Sequence, residues 1–478
     1  MDRAELSDAI IDDLGQLFVT VLKQRAATLL ASDFDGIEQC LQEMGREVFG
    51  PVVERTVAAI AAAHGQEQPL CPICHRLMRL VDAARSRAFQ GLVGDYWIKR
   101  AYFFCDACHR GLAPLDERLG LGGGNLSPGL ARVACWLGID DSFQEGANAL
   151  QETLRITVQD EATRRITEGI GQVAEAEAQA VIQRAQTGHA VFVPEEITVT
   201  APILLVEVDG ALVHETDGNW HEVKAGLAAP LGPEVETDKK TGRTTLVLGE
   251  PSYCAGFESA ETFWWRVYGE ACRRGLGSQL VRVVVVLGDG ADWIWRYAAA
   301  FLAVVGVQVV EIVDFYHALE HLGLVAGLVL GHGNRAAEAW LAERKTELLA
   351  HGTAPILVAL ADLRPDTSDA AEEVRKAIGY FQTHAARMDY PRFIAQHFPI
   401  GSGAIESTCK ALIEERVKGA GMRWTPTGAQ AVLSLRAVQR SGRWRTFWKT
   451  HPQRRRPTVC ARHHPKTTPL QTPEKQAA

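Results

Sequence analysis

The sequence predicts a multidomain α/β chain. Its centre is a mixed sheet with helices on its faces and a long helical insertion, and a cysteine-paired segment and a helix-turn-helix segment precede it. Three observations carry this. Apolar, β-branched runs at 203–208, 281–287 and 307–313 alternate with helical patterns. Two Cys-x-x-Cys pairs, Cys71/Cys74 and Cys105/Cys108, lie upstream. From 318 to about 396 helical periodicity continues without any strand pattern.

The elements follow in order. Residues 1–66 read as helical, with apolar positions Ile37, Leu41, Val48, Val52, Val53 and Val57 at helical spacing, as in a packing or oligomerisation arm. Residues 67–118 hold the cysteine pairs and a strand at 96–104. Residues 119–195 are helical with a break near Arg155, and Pro194 and Pro202 bracket the linker that follows. Residues 198–317 give a strand at 203–208, antiparallel neighbours at 219–225 and 244–248, a helix at 261–274, a strand at 281–287, a helix at 292–304 and a strand at 307–313. The helical insertion spans 318–398, with an interruption near Leu363-Arg-Pro-Asp, and helix returns over 403–440 within 399–450. The tail at 451–478 is basic and proline-rich and is expected to be disordered.

Composition bounds the function classes. A chain of 478 residues, 47% hydrophobic and 23% charged, has globular composition and room for two to four domains. It starts without the pattern of a signal peptide and lacks the ~18-residue apolar stretch that spans a bilayer. A cytoplasmic, nucleoid-associated protein is expected. The net charge of −8 argues mildly against nucleic-acid binding. Its distribution argues the other way: from Lys410 to Lys466 fourteen Lys/Arg face two acids, Glu414 and Glu415.

Two of the strand runs end in Asp-Gly, at Asp209-Gly210 and Asp289-Gly290, and a third acid, Glu406, follows in Gly401-Ser-Gly-Ala-Ile-Glu-Ser. An Asp-Gly after a strand is commonly a plain turn. If the first and fourth strands are neighbours, however, the two aspartates meet, and a carboxylate on a later helix completes an oxygen cage for hard divalent cations. Two such ions can activate an attacking oxygen and stabilise a leaving one. This is the pattern of an RNase H-like metal nuclease core. Glu207 shares a sheet face with Asp209, whereas Asp292 reads as a first-turn helix residue. Asp314-Phe-Tyr-His317 follows the fifth strand. Asp314 suits a helix N-cap, and His317 is a candidate to position DNA or assist proton transfer.

The cysteine pairs flank a hairpin, as in a zinc ribbon, and four thiolates make the ion structural by leaving no open position. His75 and His109, one after each pair, are expected beside the thiolates without binding the ion, or facing solvent. Residues 142–154, 155–157 and 158–169 read as helix, turn, helix. Gln159, Thr163, Arg164 and Arg165 lie on the polar side of the second helix, as a major-groove recognition helix would have them, although an ordinary helical hairpin is the alternative. Lys410, Arg416, Lys418, Arg423 and Trp424, with Arg436, Arg440 and Arg443 beyond them, are candidate DNA contacts near Glu406.

The set Val208-Asp209-Gly210, Gly288-Asp289-Gly290-Ala-Asp-Trp-Ile, Asp314-Phe-Tyr-His317, Gly401-Ser-Gly-Ala-Ile-Glu406-Ser and Lys418-Gly-Ala-Gly-Met-Arg-Trp424 resembles bacterial insertion-sequence transposases of the ISKra type, within the Mutator-like DDE group. The resemblance covers 67–450. It implies an RNase H-like catalytic domain interrupted by a helical insertion, with two Mg²⁺ (or Mn²⁺) ions on Asp209, Asp289 and Glu406, and Asp314 and His317 near the active site. It also implies that the ribbon and helix-turn-helix bind terminal inverted repeats of double-stranded DNA, that target DNA is the second substrate, and that the active complex is a homodimer or larger. The alternatives are a catalytically inactive, transposase-derived DNA-binding protein and an RNase H-like nuclease without strand transfer.

Overall fold

The computed structural model describes residues 8–63, 68–189, 191–192, 196–302, 306–419 and 421–454. They form two compact units. One takes the described residues of Met1–Trp136, Ala147–Val158 and Arg445–Ala478, the other those of Leu137–Gly146 and Gln159–Trp444. Among the described residues no helix is long and apolar enough to cross a membrane. Beyond Arg454 the predicted tail lies outside the described residues.

In the first unit, helices α1 (Asp8–Ala31) and α2 (Phe34–Ala63) pack through Val21, Cys40, Met44 and Val48. The buried stripe of α2 is therefore 40-44-48, at i, i+4, i+8. Leu41, one position around the helix, is 49% exposed, contrary to the predicted face. Strands β1 (Arg79–Gly91), β2 (Gly94–Cys105) and β3 (Arg110–Leu112) form an antiparallel sheet in that order. Gly94 sits at φ 140°, with the carbonyl of Arg46 2.5 Å from where a Cβ would lie, so the hairpin turn has no space for a side chain. Helix α3 (Pro114–Arg118) brings Asp116 to the buried Arg100 (2.6 Å) and to Arg87 (3.1 Å). Helices α4 (Pro128–Asp140) and α5 (Phe143–Leu154) carry residues of both units.

The second unit is α/β with a mixed sheet. After α6 (Asp160–Gln186) come β4 (Ile203–His214), β5 (Trp220–Thr237), β6 (Thr244–Leu248), β7 (Ser252–Gly256), α7 (Ala260–Arg273), β8 (Val283–Gly288), α8 (Asp292–Leu302) and β9 (Gln308–Val313). The sheet order is β6-β5-β4-β8-β9, with β7 also on β5. Strand β5 is antiparallel to β4, whereas β4, β8 and β9 are parallel. Residues Val284–Leu287 are fully buried, as expected for a central parallel strand covered on both faces.

Three sheet elements differ from the sequence reading. Strand β4 runs six residues past 208, because Asp209 and Gly210 stay paired with β5 instead of turning. Strand β5 runs twelve residues past 225, through Gly226, Pro230 and Gly232, residue types that are depleted in strands. A Cβ on Gly226 would meet Val267 of α7 at 2.9 Å, and the carbonyl of Pro230 still accepts a hydrogen bond from Gly249. Strand β7 is short, with only Tyr253 of high β propensity, and escaped the pattern altogether.

The insertion consists of α9 (Phe315–Leu330), α10 (Arg335–His351), α11 (Thr353–Asp362), α12 (Ser368–Thr383) and α13 (Tyr390–Ala395), with the predicted break between α11 and α12. Residues 403–440 are not one helix. Helix α14 (Gly403–Thr408) leads into a π-helical stretch, Cys409–Glu414, then α15 (Glu415–Val417), a Gly-containing loop, and α16 (Pro426–Arg440).

A buried polar joint ties α6, α7 and α16 together. Arg266 of α7 lies 2.8 Å from Glu175 of α6 and 2.5 Å from Glu258. Glu175 also accepts from Ser434 and Gln430 of α16. Breaking a buried pair strands the remaining charge. Arg266→Ala is expected to destabilise the protein by about 3–5 kcal/mol in urea unfolding; a loss under about 1 kcal/mol, typical of an exposed pair, would show the joint to be ornamental.

Candidate functional site

Parallel pairing of β4 with β8 sets the geometry. The register runs from Ile203↔Val283 to Glu207↔Leu287, an offset of 283 − 203 = 80 residues. Asp209 and Asp289 are separated by the same 80, so both follow the last parallel pair, Glu207↔Leu287, by two residues. Asp209 is not at a strand end, as the sequence suggested, but inside β4, which continues to His214 along β5, whereas Asp289 lies one residue past β8. Each carboxylate is braced locally, Asp209 by the N–H of Gly210 (2.7 Å) and Asp289 by that of Ala291 (2.9 Å). The backbone of Asp289 is held from the insertion, where the Tyr380 hydroxyl of α12 donates to its carbonyl (3.0 Å).

Glu406 reaches the same end of the sheet on α14, exposed, with one oxygen accepting from the Ser402 hydroxyl (2.9 Å). Two buried carboxylates grip the segment that carries it. Glu207 accepts from the N–H of Ile405 (2.7 Å). Asp314 caps α9 through the N–H groups of Tyr316 (2.5 Å) and His317 (2.9 Å), and its other oxygen accepts from the N–H of Ser402 (2.5 Å). Asp314 thus caps one helix and holds the start of another. The Cys409 thiol, first in the π-helical stretch, donates to Asp209 (3.5 Å).

The acids feel one another. Burial raises the Asp209 carboxyl, with bonds from Gly210 and Cys409 opposing and the charges of Asp289 and Glu406 adding to the rise. Burial pushes Glu207 up to about 8, against the bond from Ile405 and with the charges of Asp314, Glu406 and Asp209. Asp209, Asp289 and Glu406 nonetheless do not converge as ligands. Among the described residues, the groups whose ligand atoms all lie within 4.8 Å of one another are the four cysteines and Glu215–Asp217–His221. Asp292 is an exposed first-turn residue of α8, as read from the sequence.

His317 is half-buried, with Nδ1 3.3 Å from Glu320. His321, one turn on, was missed by the sequence reading. Its ring stacks on Tyr380 (4.1 Å between centroids) and it lies within reach of the Asp289 charge. The only signal for it was a second histidine four residues after His317.

Cys71, Cys74, Cys105 and Cys108 form a largely buried cluster, with Sγ of Cys74 and Cys105 3.5 Å apart. Tetrahedral zinc with ~2.3 Å bonds places sulfurs about 3.8 Å apart, so the cluster can hold that ion. Burial opposes ionisation of Cys71, but backbone bonds from Cys74 and Ile73 bring it down to about 7. The two knuckles match: His75 (φ 57°) and His109 (φ 52°) each take the left-handed turn after the second cysteine, and both face solvent.

Several predicted DNA contacts are structural instead. Arg416 is 1% exposed, its guanidinium on the carbonyl of Gly138 (3.0 and 3.1 Å) and between the rings of Phe143 and Trp424. Trp424 is 5% exposed and donates to the carbonyl of Val417. Arg436 is fully buried against the carbonyls of Leu412, Ile139 and Ala411, and Arg443 pairs with Glu270. Burial lowers the Arg416 and Arg436 guanidinia to about 10. Thr163 is buried too, because Thr163, Thr167, Ile170, Gly171 and Ala174 form the packed stripe of α6, and Gly171 abuts Ala431 of α16. Arg164 is paired with Glu161 and Glu168 on its own helix. Gln159, Arg165, Lys410, Lys418, Arg423 and Arg440 remain exposed, with Lys418 paired to Glu414 and Arg440 near Asp140 and Glu415.

Compared with known protein families and with curated proteins, the chain matches none.

If Glu207 anchors α14, Glu207→Ala should cost about 1–3 kcal/mol in urea unfolding by orphaning the Ile405 N–H. Glu207→Gln keeps an acceptor and should cost less; equal losses in the two variants would contradict the anchoring role.

Proposed function

We propose that the chain is a DDE transposase of a bacterial insertion sequence, of the ISKra type, that cleaves and joins DNA at an RNase H-like core. The observation that carries the reading is the matched placement of Asp209 and Asp289, each two residues past the last parallel pair of β4 and β8, with Glu406 brought beside them on an anchored helix. The order β6-β5-β4-β8-β9, with β5 antiparallel, supports the RNase H-like assignment. The position of the helical insertion between β9 and α14 fits it as well.

In this reading Asp209, Asp289 and Glu406 hold divalent cations. Their donor set is all carboxylate oxygen, which suits Mg²⁺ or Mn²⁺. When bound, two such ions supply a nucleophile at neutral pH and stabilise the leaving oxygen. Side-chain rotation would draw the three acids together, and the exposed Glu406 has the freedom to do so. Glu207 and Asp314 act as positioning residues. Lys410 and Arg423, with Lys418 beside Glu414, are exposed cations in this segment that hold phosphates in this reading. Water attacks the phosphodiester at the element end, and the freed 3′-hydroxyl attacks target DNA in the second step. The cysteine cluster with structural zinc, together with Gln159 and Arg165, engages terminal inverted repeats, and a homodimer or larger assembly pairs the two ends.

The test is incubation of purified protein with Mg²⁺ or Mn²⁺ and a duplex carrying the gene's own flanking sequence. The expected result is a nick at a defined flanking position, lowered at least ~10³-fold in Asp209→Ala and Glu406→Ala, on the scale of losing transition-state charge stabilisation. Binding of the flanks without cleavage in either metal would replace this reading with that of a non-catalytic DNA-binding protein. Cleavage without joining to target DNA would leave a nuclease.

A further inference from the structure

We infer that Glu215, Asp217 and His221, at the turn joining β4 to β5, form a separate binding site for a divalent transition-metal ion. The three offer ligand atoms that all lie within 4.8 Å of one another. His221 Nε2 is 2.8 Å from Asp217 Oδ2 and 3.5 Å from Glu215 Oε2. Bonds of ~2.1 Å to one ion would space neighbouring ligand atoms about 3.0 Å apart in octahedral and 3.4 Å in tetrahedral geometry, which brackets the mean of these two distances.

A plain ion pair between His221 and Asp217 is the competing account, and Glu215 separates the two. Its side chain is only 3% exposed, and its Oε1 is buried without a hydrogen-bond partner. The imidazole Nε2 carries at most one hydrogen, which Asp217 takes at the shorter distance. A carboxylate buried with an unmet oxygen is costly, and a cation beside His221 held by both oxygens of Glu215, Oε2 facing the imidazole and the orphaned Oε1, removes that cost.

The backbone holds the set in place. The N–H of Glu215 donates to the carbonyl of Asn219 (3.0 Å), and that of Asn219 donates to Asp217 (2.9 Å). Glu215 also bridges to Trp424, whose carbonyl accepts from Thr216 (2.9 Å). The site therefore sits on the turn that anchors the end of the loop bearing Lys418 and Arg423. An imidazole with two carboxylates favours Mn²⁺, Zn²⁺ or their transition-metal neighbours over Mg²⁺ or Ca²⁺. Glu215 lies six residues beyond Asp209, about 20 Å along an extended strand, so the two acid groups are distinct.

The experiment is a Mn²⁺ titration of the full chain carrying zinc in its cysteine cluster, with free Mn²⁺ read by electron paramagnetic resonance. Wild type, Glu215→Gln, His221→Gln and Asp209→Ala are compared. The expected outcome is one Mn²⁺ site weakened at least about tenfold in Glu215→Gln and in His221→Gln, the loss typical of disturbed metal ligation, and retained in Asp209→Ala. Unchanged binding in both Glu215→Gln and His221→Gln would overturn the site. Circular dichroism identifies any variant that fails to fold, and Asp217→Asn, at a half-exposed position, replaces it. Mn²⁺ binding that disappears entirely in Asp209→Ala and is unchanged in Glu215→Gln and His221→Gln would belong to the acids around Asp209 alone and would equally overturn this site.

Discussion

The parallel pairing of β4 with β8 is the constraint on which the second unit depends. With both faces of these strands covered, a one-residue slip would move each side chain of one strand to the opposite face, where the packing is built for a different one. Val284–Leu287 and Leu204–Val206 are all buried, so the register is fixed by apolar packing. The same register places Asp209 beside Asp289. Forces unrelated to chemistry thus bring two like charges together, and burial together with the neighbouring charge raises the Asp209 carboxyl.

The third acid needs a different device, because it arrives 117 residues after Asp289 (406 − 289), past α8, β9 and the five helices of the insertion. Here buried carboxylates act as acceptors for backbone N–H groups rather than as charge partners. Glu207 and Asp314 take the N–H groups of Ile405 and Ser402, and the N–H of Phe315 donates to the carbonyl of Ile400. The insertion contributes in turn through Tyr380, which fixes the Asp289 backbone. Arginine has the complementary task. Arg416 and Arg436 are buried where helix carbonyls and aromatic faces need a donor, which suits a planar guanidinium with five N–H groups.

Much of this was legible in the sequence. The strands at 203–208, 281–287 and 307–313 were readable from β-branched content, although the first continues past Asp209 to His214, because Asp209-Gly210 is paired with β5 and is not a turn. The Cys-x-x-Cys spacing was enough to find the thiol cluster. What failed has a common cause: charge and polarity report composition, not burial. Arg416, Trp424 and Thr163 were read as surface groups because they are polar or lie near basic residues, yet each is packed. The small-residue stripe of α6 could have warned of this for Thr163. The Glu215–Asp217–His221 set escaped notice because nothing local marks Glu215 as the buried member, and its backbone is bridged to Trp424, more than two hundred residues away.

The central claim is that Asp209, Asp289 and Glu406 together hold divalent cations. Its most direct measurement is anomalous diffraction from crystals of the protein equilibrated with Mn²⁺. The account predicts anomalous density in contact with the carboxylates of Asp209 and Asp289, with Glu406 turned toward it, and its disappearance in Asp209→Ala. Crystals that bind Mn²⁺ elsewhere in the protein but show none at these three acids would contradict it.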